Sequence, residues 1–382
     1  MPVNRYRILI LMLVLCGSCI EPFNPKIEGS REVLVINGFI SDRSGPHQVS
    51  ISLSTPYNDP SFVPVQGCVV TVEDESGLMV EYSEISPGVY EANLEPSFLQ
   101  VGKSYSLYVS TPDGNEYRSD YDRILAGSPI DSVYYEVKGQ ETTDPNRNIK
   151  GVQFFVDMKG TPETASNYRW LMEETWMYTA PHMANYIWTG EMIVPVFPSN
   201  HECYLTEIVN GFFSASTRYL SVNQLNRSSL HYVTNESPRL ELKYSVLVEQ
   251  HSLSDPAYDY WDRMESQARS GGGLYDSQPS STIGNIYNVN DPSERVLGCF
   301  YATQVKQKRT TFYNRGDFNV KGIKCALDTI QSVDELGNDY PYDLISLDPQ
   351  SMGGPPYLVG SKKCFDCTLT LHGGTTTIPE FF

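Results

Sequence analysis

The sequence predicts a mainly β protein: a small antiparallel β-sandwich, then a larger antiparallel β domain with one or few short helices. Three observations point there. Short runs of alternating apolar and polar residues recur from Val33 onward, punctuated by Gly, Pro and Asp. Tyr is abundant at 26 residues, and together with frequent Thr and Val it suits pleated, half-exposed surfaces. Helical spacing of apolar residues is clear in one stretch alone, near 254–270.

The chain opens on a different pattern. Arg5 and Arg7 precede the apolar run Ile8–Leu15, and Gly17 and Ser18 supply small residues just before Cys19. This is the layout of an exported precursor, with residues 1–18 as the signal peptide. The run is far shorter than the roughly 20 apolar residues that span a bilayer. A cysteine directly after the small pair points to lipoprotein processing, in which the Cys19 thiol and the new amino terminus are acylated. Acyl chains contribute about 0.8 kcal/mol per buried CH2, so two or more hold a protein on a membrane. The alternative is an ordinary cleaved signal with Cys19 as a plain cysteine. Residues 19–31, with two prolines, a glycine and no apolar periodicity, read as a tether.

The first sandwich is expected over 32–125. VLVINGFI comes first, then HQVSISLS, where Val49, Ile51 and Leu53 face one way and Ser50, Ser52 and Ser54 the other. VQGCVVTV, bounded by EDESG, places Cys68 in step with Val70 and Val72 as a small core residue. GVYEANL and SYSLYVSTPDGNEYRSD complete the set. GCVVTVEDESG, PGVYEANL and VGKSYSLYVSTPDGNEY resemble carboxypeptidase-regulatory or immunoglobulin-like (Ig-like) modules, which implies a spacer or docking piece.

The larger β domain is expected over 126–382, after a break at ILAGSP. Strands are expected at Ser132–Val137 and Val152–Met158. YRWLMEETWMY has helix-forming residues, yet Tyr168, Trp170, Met172, Trp176 and Tyr178 share one parity, which favours a strand. LELKYSVLV alternates Leu242, Tyr244, Val246 and Val248 against Glu241, Lys243 and Ser245. In the helix, Ser254 caps, Pro256 is tolerated early, and Gly271–Gly273 stop it. Its stripe of Ala257, Tyr260, Trp261, Met264 and Ala268 reads as a face docked onto a sheet. RVLGCFYATQV at 295–305 reads as one strand, with Lys306, Lys308 and Arg309 as its solvated end.

The charge excludes some function classes. With 46 acidic against 28 basic residues, the net charge of −18 repels nucleic acid and anionic headgroups. No G-x-S-x-G, S-x-x-K, H-E-x-x-H, P-loop or G-x-G-x-x-G is present, so no enzyme, no metal and no cofactor is expected. A hydrolase built from distant residues is the remote alternative. His201 and Cys203 stand two apart and would need two further ligands to hold zinc. Cys364-Phe365-Asp366-Cys367 is the most pointed local feature. It could be redox, half a zinc site or structural disulfides; Thr368, Thr370 and Gly373–Thr377 argue against the helix start that a redox thiolate wants. Structural bridging is expected, with partners among Cys203, Cys325 and each other. The aromatic stretch TWMYTAPHMANYIWTG and its flank offer Trp170, Trp176, Tyr186 and Trp188 as candidate ligand contacts.

The lipobox followed by IEPFNP, the Tyr-Trp helix with GGGLYDSQPSSTIGN, ERVLGCFYATQVKQKR and the tail CFDCTLTLHGGTTTIPEFF resemble a domain-of-unknown-function family. Its members are outer-membrane lipoproteins of Bacteroidota, often encoded beside TonB-dependent receptors. The resemblance implies an outer-membrane, lipid-anchored accessory protein that contacts such a receptor, on a periplasmic or cell-surface face. It also implies that Cys299, where an aromatic is commoner, is unpaired. A surface protein that catches a glycan, peptide or metal chelate for a transporter is the alternative.

Overall fold

The structure is a computed structural model that describes residues 32–55, 61–140, 149–197, 200–270, 282–316, 319–347 and 354–382. The 1–18 leader, Cys19 and the 19–31 tether lie outside the described residues. The protein is mainly β, as the alternation predicts.

In the first sandwich the period-two pattern becomes two layers around one core. Leu34–Ser41, Gly45–Leu53 and Val89–Leu94 pair antiparallel, as do Val69–Asp74, Ser104–Ser110 and Glu116–Ser119. Met79–Ser86 pairs with both groups and carries the sheet round the bend. Val49, Ile51, Val70 and Val72 are fully buried, and Tyr82, Tyr90 and Tyr105 fill the space between the layers. Cys68 is a buried free thiol, as its parity predicts; its N–H donates to the Tyr90 hydroxyl at 3.0 Å.

This first unit is not contiguous in sequence. Phe300–Thr303 adds a parallel strand beside Leu34–Ser41, and Ile286–Asn288 pairs with Glu116–Ser119. The boundary drawn at residue 125 therefore cuts a sheet that is completed from 160 residues downstream or more. Gly298 permits the close approach: its φ is +98°, and a Cβ there would run into the Ile36 carbonyl oxygen. The expected single strand at 295–305 is divided for the same reason. Phe300–Thr303 serves the first sandwich, Val305–Tyr313 serves the second, and Gln304 is the crossing point. Its Oε1 accepts from Gly127 N and its Nε2 donates to Asp42, both at 2.8 Å. Lys306, Lys308 and Arg309 consequently lie in the first half of Val305–Tyr313; Lys308 is exposed, as a solvated end would be, while Arg309 is half-buried and pairs with Glu173 at 3.1 Å.

The second sandwich stacks three strands on five, the fifth being the short Ser214–Ser216 paired with the start of Asn167–Thr179. Ile130–Gln140, Ile149–Lys159 and Gln224–Thr234 form one layer. Glu202–Ile208, Asn167–Thr179, Lys243–Leu253 and Val305–Tyr313, in that order, form the long strands of the other. Tyr168, Trp170, Met172, Trp176 and Tyr178 all point into the core, which is why YRWLMEETWMY is a strand despite its helix-forming residues. Tyr244, Val246 and Val248 meet Phe154, Val156 and Met158 from the facing layer.

The helix Asp255–Ser270 starts where its cap predicts, with Ser254 Oγ accepting from Ala257 N at 3.3 Å. Ala257, Tyr258 and Tyr260 are buried and Trp261 packs on Tyr301, so the aromatic stripe does dock onto a sheet. Ala268 is exposed, and the docked stripe ends before it. The stop glycines 271–273 lie outside the described residues. A small five-stranded sheet holds Tyr186–Trp188, Ile193–Pro195, Asp328–Ile330, Tyr342–Ser346 and Tyr357–Val359 around its own core of Ile330, Leu344, Tyr357 and Val359. No helix among the described residues is long and apolar enough to cross a membrane.

Candidate functional site

The cysteines of the tail divide between two partners. Cys203 is bonded to Cys367 and Cys325 to Cys364, so the C-x-x-C sulfurs do not bond each other. These bridges lash the tail to the edge strand Glu202–Ile208 and to the segment that leads into the small sheet. Cys203 is thereby spent, which removes the thiolate a His201–Cys203 zinc site would need. Among the described residues no cluster of metal-ligating side chains is present. One expectation fails here: Cys367 does begin a helix, the single turn Cys367–Thr370. Asp366 makes this possible, accepting from Thr368 N at 2.9 Å and Thr368 Oγ1 at 2.6 Å. Burial pushes the Asp366 carboxyl up, but these bonds and one from Asn200 outweigh it and hold it below the usual range. Cys299 is a buried free thiol.

Of the four aromatic contact candidates, two are core residues. Trp170 is 1% exposed and donates from Nε1 to Gln250 Oε1 at 3.1 Å. Trp176 is 3% exposed. Both face inward because their parity on Asn167–Thr179 is the buried one; Trp176 alone reaches a surface groove, and only by its edge. Tyr186 and Trp188 are half-buried on the small sheet, where Trp188 meets Tyr340 edge-on at 6.3 Å.

Two features without a sequence signature stand out instead. The first is the loop 217–222. Tyr219 is 86% exposed, and Leu220 and Val222 are more than half exposed beside it. The base of the loop is fixed. Asn223 Nδ2 donates to Ala165 O at 3.0 Å, Thr217 Oγ1 donates to Asn223 Oδ1 at 2.7 Å, and Arg218 pairs with Asp259 of the long helix at 2.7 Å. The Arg218 guanidinium also lies 5.1 Å from the Tyr219 ring and 5.2 Å from that of Tyr258. A rigidly based tip with three apolar side chains in water is the pattern of a contact surface.

The second is a groove of about 570 Å³ on the second sandwich, bounded by Leu205, Glu207, Tyr232, Arg239 and His372 over the edge of Trp176. Beneath it lies Glu174, 2% exposed at its side chain. Arg239 Nη1 is 3.2 Å from Glu174 Oε1, and Tyr244 donates its hydroxyl to Oε2 at 2.5 Å. Burial alone would raise the Glu174 carboxyl; His231, Tyr244 and Arg239 together bring it below the ordinary value. Burial and the neighbouring Glu174 charge push the Tyr244 hydroxyl well up. Pairing is what makes so buried a carboxylate tolerable. The sequence shows Glu174 only as a polar residue on the apolar parity of a strand, which was the available signal.

A family model described as "Domain of unknown function (DUF4249)" matches residues 20–309. The chain belongs to that family. Comparison of this DUF4249 protein with curated proteins finds no match. Among solved structures it is similar to trypsin-activated alpha-2-macroglobulin from Escherichia coli, with TM-score 0.20, 10% identity, and coverage of 61% of this chain and 15% of that one. The native conformation of the same E. coli protein gives TM-score 0.18 and 11% identity, over 60% of this chain and 14% of that one. The Yersinia pseudotuberculosis adhesin InvE gives TM-score 0.15 and 12% identity, over 85% and 72%. The DUF4249 chain thus spans about a seventh of the macroglobulin's length, and likenesses this faint carry no argument.

Proposed function

We propose that this DUF4249 protein is a lipid-anchored outer-membrane protein of Bacteroidota that acts by contact with a TonB-dependent transporter and carries out no chemistry of its own. The single observation that carries the contact reading is the 217–222 loop. Leu220 and Val222, each still a little over half exposed, would contribute roughly 0.8–1.5 kcal/mol apiece if a partner covered the remainder, and the bonds at the loop's base limit the ordering cost of doing so. The arrangement Ile8–Cys19 supports the anchor, since acylation of Cys19 would hold the first sandwich close to the membrane. The family resemblance read from the sequence supports the kind of partner.

Purification of the full-length protein from outer membranes in mild detergent tests the reading. A TonB-dependent β-barrel receptor, identified by mass spectrometry, is expected to co-purify in near-stoichiometric amount. Recovery of the protein alone would overturn it.

A further inference from the structure

The groove over Trp176 lies where the second sandwich is open. On one side its layers are closed: Tyr135 of Ile130–Gln140 meets Phe312 of Val305–Tyr313, in the facing layer, edge-on at 5.3 Å. The opposite side ends in two edge strands, Glu202–Ile208 and Gln224–Thr234. Tyr204 of the former exchanges backbone bonds with Thr375 of the tail, and its residues beyond 204 extend past that contact. Among the described residues no strand pairs with the outer edge of Gln224–Thr234. Such an edge offers unpaired backbone donors and acceptors to an extended segment.

Charge selects the occupant. Arg239 is the one Lys or Arg among the groove's lining residues, and it faces two carboxylates: Glu174 and Glu207, each at 3.2 Å. Glu174 is buried, so its charge is fixed in place, while the Glu207 side chain is 45% exposed at the rim. Glu207, which shares Arg239 with the buried Glu174, is the carboxylate that reaches the rim of the groove. The Arg239 guanidinium itself takes the face of the Trp176 ring, 5.1 Å from its centre, so an incoming cation meets the Glu207 carboxylate at the rim rather than that ring. The volume of about 570 Å³ admits a long side chain together with a stretch of backbone.

We infer that this opening is a docking groove for an extended peptide segment that adds along the Gln224–Thr234 edge and seats an arginine or lysine side chain against Glu207. The inference rests on this groove alone and uses none of the 217–222 loop residues on which the transporter reading rests.

The test is fluorescence anisotropy with the full chain and two labelled decapeptides of alternating Val and Thr, one with a central Arg and one with a central Glu. The Arg peptide is expected to bind at least tenfold tighter. Its affinity should fall about tenfold in Glu207→Gln and further in Glu207→Lys, and should weaken at 0.5 M salt. Glu207 is rim-exposed, so both variants are expected to keep the melting temperature of the parent. Equal binding of the two peptides, binding to neither, or an affinity unchanged in both variants would overturn the inference.

Discussion

The two tail disulfides give a prediction whose size follows from chain length. Cys203 and Cys367 are 164 residues apart, Cys325 and Cys364 only 39. A cross-link stabilises mainly by restricting the unfolded chain, so a 164-residue loop is worth about 5 kcal/mol in the chain-entropy model and a 39-residue loop about 4. The shorter bridge is nested inside the longer, which shrinks the effective outer loop. The outer bridge should still be worth about 1 kcal/mol more than the inner one. Measured losses commonly run near 2–4 kcal/mol, so the difference is firmer than either value. The perturbations are Cys203→Ala with Cys367→Ala, and Cys325→Ala with Cys364→Ala. Urea unfolding followed by tryptophan fluorescence reads both, since Trp170 and Trp176, two of the four tryptophans, sit in the core beside Cys203 and Cys367. A loss under 1 kcal/mol for the 203–367 pair, or a larger loss for the 325–364 pair, would refute the reasoning.

Trp170→Ala should cost about 3–5 kcal/mol by leaving a cavity and an unpaired Gln250 amide, readable as a lowered urea midpoint; an unchanged midpoint would mean the ring is not in the core. Stability should also fall on acidification below pH 6.5. His47 and His251 are buried, and burial holds both below the usual value of 6.5. Above that pH they are neutral folded and unfolded alike. Below it the unfolded chain takes up protons that the folded chain resists, with a loss of up to about 1.4 kcal/mol per pH unit for each histidine. Unfolding midpoints at pH 7.5, 6.5 and 5.5 check this, and His251→Gln should flatten the slope; a flat wild-type profile over that range would contradict it.

What was legible in the sequence was local. Val49 and Ile51 alternating with serines, the single parity of Tyr168 to Tyr178, and Ser254 before an aromatic stripe each fixed an element, because side-chain period and capping act within a few residues. What was not legible was pairing at a distance. Nothing near Phe300 marks it as the parallel neighbour of Gly38, 262 residues earlier, and RVLGCFYATQV carries no turn residue between Phe300 and Val305, where it changes sheets. The same holds for the candidate sites. Parity shows that Trp170 and Trp176 belong to one face but not that the face is the inner one. The groove draws Glu207, Tyr232, Arg239 and His372 from four separate segments. The one-turn helix at Cys367 was missed because Thr368 and Thr370 read as strand residues, whereas the Asp366 carboxylate beside them forms a cap.

The central claim is that this protein works by being held against a receptor through an apolar loop. Its most direct test compares the full-length wild type with Tyr219→Ser/Leu220→Ser in mild-detergent purification from outer membranes, quantifying the co-purified β-barrel. Both residues point into water, so the variant should keep the parent's stability within about 0.5 kcal/mol. The account predicts that a TonB-dependent receptor accompanies the wild type and falls at least tenfold with the variant. Equal receptor recovery with both proteins would contradict it.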